Sequence, residues 1–184
     1  VYAETKSTSD QVAQDSEKGP RTDVSNPDLK ELTGKDIKDG TYDIEVESDS
    51  SMFNIIKAKL TVKDGKMTAV LTLNGKGYLR LFMGTGEEAV KADESKYAEF
   101  KIVDDKYTYE VSVDKLNAPV ECTSFSKRKQ KWYDHQIVFL ADTLPEGAVK
   151  KDYTVVILCA VVGVVLVAGI IIGLGRIKKK KSAR

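Results

Sequence analysis

The sequence predicts an all-β fold: an immunoglobulin-like antiparallel β-sandwich ectodomain followed by a single transmembrane α-helix. Three observations carry that expectation. Short runs alternate apolar and polar residues at every second position, the period of a strand with one face buried. Turn residues interrupt these runs at spacings of about 8 to 12, as in sandwich proteins. One stretch, residues 154–175, holds no charged residue over 22 positions.

Residues 1–36 are rich in Ser, Thr, Asp, Gln and Lys and have no periodic apolar pattern. Such a composition buries too little to offset chain entropy, so a disordered extracellular segment is expected. Val1 and Ala3 are small residues at the spacing of a signal-peptidase site, which reads residues 1–3 as the remnant of a leader. The β-sandwich is expected over residues 37–141. Tyr42, Ile44 and Val46 alternate with Asp43, Glu45 and Glu47, giving a half-buried first strand. Ile56, Ala58, Leu60 and Val62 form the next run, and Met67, Ala69, Leu71 and Leu73 resume it after Asp64-Gly65, a strong hairpin signal. Residues 78–83 follow a Gly-rich turn, and Glu87 to Lys91 has the composition of one helical turn. Residues 97–103 and 106–113 make a hairpin about Asp104-Asp105, and residues 120–126 and 132–140 complete the set. Residues 142–153, with Pro145 and Gly147, read as a linker. Cys122 is the only cysteine of the sandwich, the other being Cys159 in the apolar run, so the domain has no internal disulfide.

Twenty-two helical residues span about 33 Å, enough for a hydrocarbon core of about 30 Å. Fourteen of the 22, beginning at Val155, are Val, Ile or Leu; their insertion gain is roughly −4 to −8 kcal/mol. Six of the 29 basic residues, Lys178 among them, lie in residues 176–184 with no acidic neighbour. By the positive-inside rule this basic tail is cytoplasmic, the cell membrane is crossed once, and the amino-terminal domain is extracellular. The remaining 23 basic residues face 28 acidic ones, a net of −5 upstream, which excludes the basic face of a nucleic-acid binder. The partner implied is the lipid bilayer. Gly169 and Gly173 have the small-xxx-small spacing that permits dimerisation through the helix. Leu144-Pro145-Glu146-Gly147-Ala148 has the position of a cell-wall sorting signal but lacks its threonine, and reads as Pro/Gly linker geometry.

No catalytic constellation is present, and an enzyme is not expected. The single histidine, His135, shares an alternation face with Tyr133, Ile137 and Phe139, which favours a half-buried structural role. Cys122 alternates with Val120 as a small buried residue does. Gly84-Thr85-Gly86 lacks the third glycine and the helix of a phosphate loop. The informative stretches are Ser50-Ser51-Met52-Phe53, after the first strand, and Trp132-Tyr133-Asp134-His135, opening the last. Loops at one end of a sandwich commonly hold its ligands.

Asp39-Gly40-Thr41-Tyr42, then Lys59-Leu60-Thr61-Val62-Lys63-Asp64-Gly65, and finally Tyr133-Asp134-His135 resemble the near-iron-transporter (NEAT) domains of Gram-positive surface proteins, over roughly residues 37–141. That resemblance implies a haem-binding sandwich with a short helix at the serine–methionine stretch. It implies that Ser50 or Ser51 holds a propionate, that Met52 and Phe53 cover the porphyrin, and that Tyr133 is the candidate iron ligand. The second tyrosine that supports the ligand in that family is replaced here by Ile137. A phenol without such support ionises reluctantly at neutral pH.

The expected function is a membrane-anchored extracytoplasmic binding module of a bacterial surface protein. It would capture haem, iron or a similar small apolar ligand and pass it to a surface transporter. The alternative is a structural or adhesive surface domain that binds protein or glycan without a cofactor. It rests on the basic loop Lys127, Arg128, Lys129 and Lys131, which suits an acidic partner.

Overall fold

The computed structural model describes residues 8–151. The expected membrane helix and basic tail, with Val155, Gly169, Gly173 and Lys178, lie outside the described residues. Among the described residues no helix is long and apolar enough to cross a membrane.

Nine strands form the domain: β1 (Gly40–Ser48), β2 (Ile55–Lys63), β3 (Lys66–Leu73), β4 (Tyr78–Met83), β5 (Ala98–Glu99), β6 (Lys101–Val103), β7 (Lys106–Val113), β8 (Val120–Ser126) and β9 (Trp132–Leu140). They hydrogen-bond in the order β5-β4-β8-β9-β1-β2-β3-β7-β6, and each pairing is antiparallel. Strand β1 turns the corner between two layers. Its first half, Gly40 to Ile44, pairs with β2, while Glu45 to Ser48 pair with β9. The opposite corner is turned by β5 and β6, which pair with β4 and β7 and are joined through Phe100. Phe100 stacks on Tyr107 with ring centroids 4.0 Å apart. The sandwich expected from the sequence is thus drawn shut at both edges, barrel-like, which limits exposed strand edges.

Alternation was the correct guide to the interior. Leu60, Val62, Leu71, Leu73, Tyr109, Ile137 and Phe139 are buried between the layers. Ile56 departs from the pattern: a register shift between Ile55 and Lys57 turns it to solvent, and Ile55 packs against the core instead. The β2–β3 hairpin turns at Asp64 and Gly65, both at positive φ, as do Asp104 and Asp105 between β6 and β7. Adjacent left-handed residues are what a two-residue hairpin demands. The expected helical turn is α1 (Gly86–Lys91), capped by Thr85 and Glu88.

Two boundaries need correction. Residues 8–36 are not a free stalk. Val12, Ala13 and Val24 are buried, Val12 bridges Trp132 in parallel, and Leu32 bridges Leu116. The reach of the domain also extends past residue 141. Leu144 and Ala148 are buried, and Val149 bridges Ile37. Single apolar residues separated by polar ones make these contacts, so neither segment shows a period.

Candidate functional site

Strand β1 ends at Ser48, and the chain folds inward at Asp49, whose amide donates to the Gln136 carbonyl at 2.9 Å. Residues 50–53 then form a tight turn, closed by the Phe53 amide donating to the Ser50 carbonyl at 3.1 Å. It is a turn and not the short helix that the resemblance implies. It sends its two large apolar side chains in opposite directions: Phe53 is fully buried, and Met52 is 73% exposed. Phe53 stacks on His135 with centroids 4.3 Å apart. It therefore packs in the core and does not cover a ligand.

Facing this turn is the start of β9, and across both runs a strap from the amino-terminal segment. The strap is pinned by the Thr22 amide to the Asp49 carbonyl at 2.8 Å and by Ala13 to Trp132 at 2.8 Å. Ion pairs add Glu17 to Lys131 at 2.9 Å, Arg21 to Asp49 at 3.5 Å and Lys18 to Asp134 at 3.7 Å. Between turn, strand and strap lies a cleft of about 140 Å³. Ser50, Met52, Tyr78, Tyr133 and His135 line it, the strap contributes Lys18, Gly19 and Arg21, and the β8–β9 turn contributes Arg128 and Lys129.

Behind the cleft lie a few buried polar groups. Ser124 Oγ and His135 Nε2 are 2.8 Å apart. His135 Nδ1 lies 3.9 Å from Asp49 Oδ1, too far for a hydrogen bond, and neither atom has another partner among the described residues. Burial lowers the His135 pKa to about 3, and the nearby Arg21 and Lys18 charges push the same way. Burial raises Asp49, against an amide hydrogen bond from Gln136 and the Arg21 guanidinium. The Tyr78 phenol is raised chiefly by burial, with the Ser124 hydroxyl opposing and Tyr133 adding to the rise. Ser, His and Asp thus meet in space, but Ser124 is fully buried. Of the three only His135 lines the cleft, with Ser124 and Asp49 buried behind it.

The structure places Ser50, Met52, Tyr133 and His135 on one cleft, together with Arg128 and Lys129 from the basic loop. It separates Ser51 and Phe53, which face a neighbouring groove shared with Thr22 and Val24. Lys131 is drawn to Glu17, and Lys127 is exposed away from the cleft. Tyr78, Lys18, Arg21 and Asp49 escaped sequence reasoning. Tyr78 carried one signal, an aromatic opening a strand after a Gly-rich turn; the strap residues carried none. Asp134, the middle of the Tyr-Asp-His motif, accepts the Gly86 amide at the start of α1 and so anchors the helix. Among the described residues no three or more His, Cys, Asp or Glu side chains gather to hold a metal ion.

No protein-family model matches the chain, and no curated protein matches it. Among solved structures it is similar to the NEAT5 domain of IsdX2, a Bacillus anthracis hemophore in complex with heme. The two are 24% identical, the match covers 55% of this chain and 96% of that one, and the TM-score is 0.41.

Proposed function

We propose that the domain is an extracytoplasmic binding module for a flat, largely apolar anion, with haem the leading candidate, held at the membrane by residues 154–175. One observation carries this reading. A single cleft unites two phenols (Tyr78 and Tyr133), a thioether (Met52) and two cations without ion-pair partners among the described residues (Arg128 and Lys129). An apolar slot with a few convergent polar groups is the usual form of a small-molecule site.

The side chains suit haem in kind. Met52, 73% exposed, offers a soft apolar cover that adapts to a ring. A phenolate is an established axial ligand of haem iron, and Tyr133 is the phenol at the mouth. Its neighbour across the cleft is Tyr78, since Ile137, where a supporting tyrosine would stand, is fully buried. His135 lines the cleft from a buried position, with its Nε2 engaged by Ser124. The volume of about 140 Å³ is below the roughly 300 Å³ at which drug-sized pockets begin, so the cleft grips one edge of a ring and leaves the rest against Met52. Haem would supply the iron and its absorbance; the chain supplies orientation and charge.

Titrating the full chain in nanodiscs with hemin, against empty nanodiscs, tests the reading. A saturable Soret shift is expected, weakened about tenfold or more by Tyr133→Phe, since removing a metal-site group commonly costs 10- to 100-fold. Met52→Ala is expected to weaken it less. Absence of any saturable spectral change refutes haem capture.

A further inference from the structure

We infer that Arg128 and Lys129, in the turn between β8 and β9, form the carboxylate-recognition subsite of this cleft, in place of the two serines across from them; this deepens the reading proposed above. Four cations line the cleft and a fifth, Lys131, lies beside it; three of the five are already engaged. Lys18 pairs with Asp15 and Asp134, Arg21 with Asp49, and Lys131 with Glu17. Arg128 and Lys129 are exposed, line the cleft, and have no carboxylate within ion-pair distance among the described residues. Glu17 and Asp134 also line the cleft, but each is paired with a lysine, Lys131 and Lys18. Lys129 acts on Glu17 only at longer range, so Arg128 and Lys129 are the lining cations not held in an ion pair.

Their backbone is prepared for the task. The Lys127 amide donates to Gly77 at 2.8 Å, Lys129 to the Ser126 hydroxyl at 3.2 Å, Gln130 to the Ser126 carbonyl at 2.9 Å, and Ser126 to Lys131 at 2.9 Å. The Gln130 side chain donates to the Lys127 carbonyl at 2.7 Å, and Gln130 itself takes a positive φ of 55°. A turn closed by five hydrogen bonds spends little entropy in presenting two side chains, and a guanidinium offers a planar fork that matches a carboxylate. The serines are worse placed. Ser51 lies outside the cleft, and Ser50, which lines it, offers a neutral hydroxyl where Arg128 and Lys129 offer charge. The ligand class that follows is a planar apolar molecule with one or two carboxylates near one edge.

Metal-free protoporphyrin IX and its dimethyl ester separate charge from ring. Affinities are measured by porphyrin fluorescence on the full chain in nanodiscs, with empty nanodiscs subtracted. The wild type is expected to bind the diacid about tenfold more tightly than the diester, and the preference should shrink as salt rises. Arg128→Gln combined with Lys129→Gln is expected to abolish that preference while diester affinity stays within about twofold. Arg128→Lys with Lys129→Arg restores most of it, and Lys127→Gln, which removes the same charge one residue off the cleft, leaves it intact. If the double glutamine variant keeps the wild-type preference, or Lys127→Gln loses as much, the assignment is wrong while the cleft reading stands. If the wild type binds neither porphyrin saturably, both fall together.

Discussion

At the scale of single residues, His135 shows how burial decides chemistry. Its ring is 4% exposed, stacked on Phe53 and bonded to Ser124, and its folded pKa is lowered to about 3. An unfolded histidine titrates near 6.5. Between those values the unfolded chain binds a proton that the folded chain refuses, so the contribution is intact above about pH 6.5 and is lost as pH falls toward 3. Asp49, raised by burial, runs the other way: its folded state keeps a proton to higher pH, adding stability at low pH, so the test belongs between pH 7 and 5. Over that interval the wild type is expected to lose about 2 kcal/mol by urea unfolding. His135→Gln, which can still bond Ser124, should show a nearly flat profile. Equal slopes in the two proteins would assign the acid lability to another group. Alternation alone had placed His135 inward. It could not place Ser124 or Asp49 beside it, because those contacts depend on the register of β8 against β9 and on a turn.

At the scale of elements, the strap is the feature that composition concealed. Residues 8–24 bury one or two apolar side chains at a time, Val12 and Ala13 and then Val24, so no window over them shows a helical or strand period. The strands were legible because each repeats its apolar residue every second position against a continuous core. The strap is held differently. Val12, Ala89 and Trp132 make a small apolar cluster apart from the main core, and the ion pairs flanking it, Glu17–Lys131 and Lys18–Asp134, are partly exposed, worth about 0.2–1 kcal/mol each. An ionised carboxylate in that cluster outweighs them. Val12→Asp should therefore release the strap while the sheet stays folded, as expected of a peripheral unit of low local stability. Trp132 is the only tryptophan of the chain and is 4% exposed, so its emission reports the event directly. A red shift and easier acrylamide quenching are expected, with the urea midpoint of the sheet nearly unchanged. Unaltered Trp132 emission in Val12→Asp would show that the strap is not what shields the indole.

At the scale of the whole molecule, strand order and membrane placement draw on different physics. Alternation located the strands and the β6–β7 hairpin but could not show that residues 98–103 cross between layers, since β5 is two residues long and its partner β4 is distant in sequence. The membrane reading needs no long-range contact, only the 22 uncharged positions and the six basic residues after them. The two readings meet in function, because a cleft that opens beside exposed cations is useful for capture only on the side of the bilayer where the ligand arrives. If the tail is cytoplasmic, as proposed, the β-domain lies on the outer side of the bilayer. Protease added to intact cells should then digest the β-domain and spare a tag placed after Arg184; on permeabilised cells both should be cut. Replacing Lys178, Lys179, Lys180 and Lys181 by Gln should weaken the bias and yield a mixed population, since charges flanking a span set its orientation. A protected β-domain with a digested tag would invert the topology, and capture from outside the cell would fall with it, whatever the cleft binds in vitro.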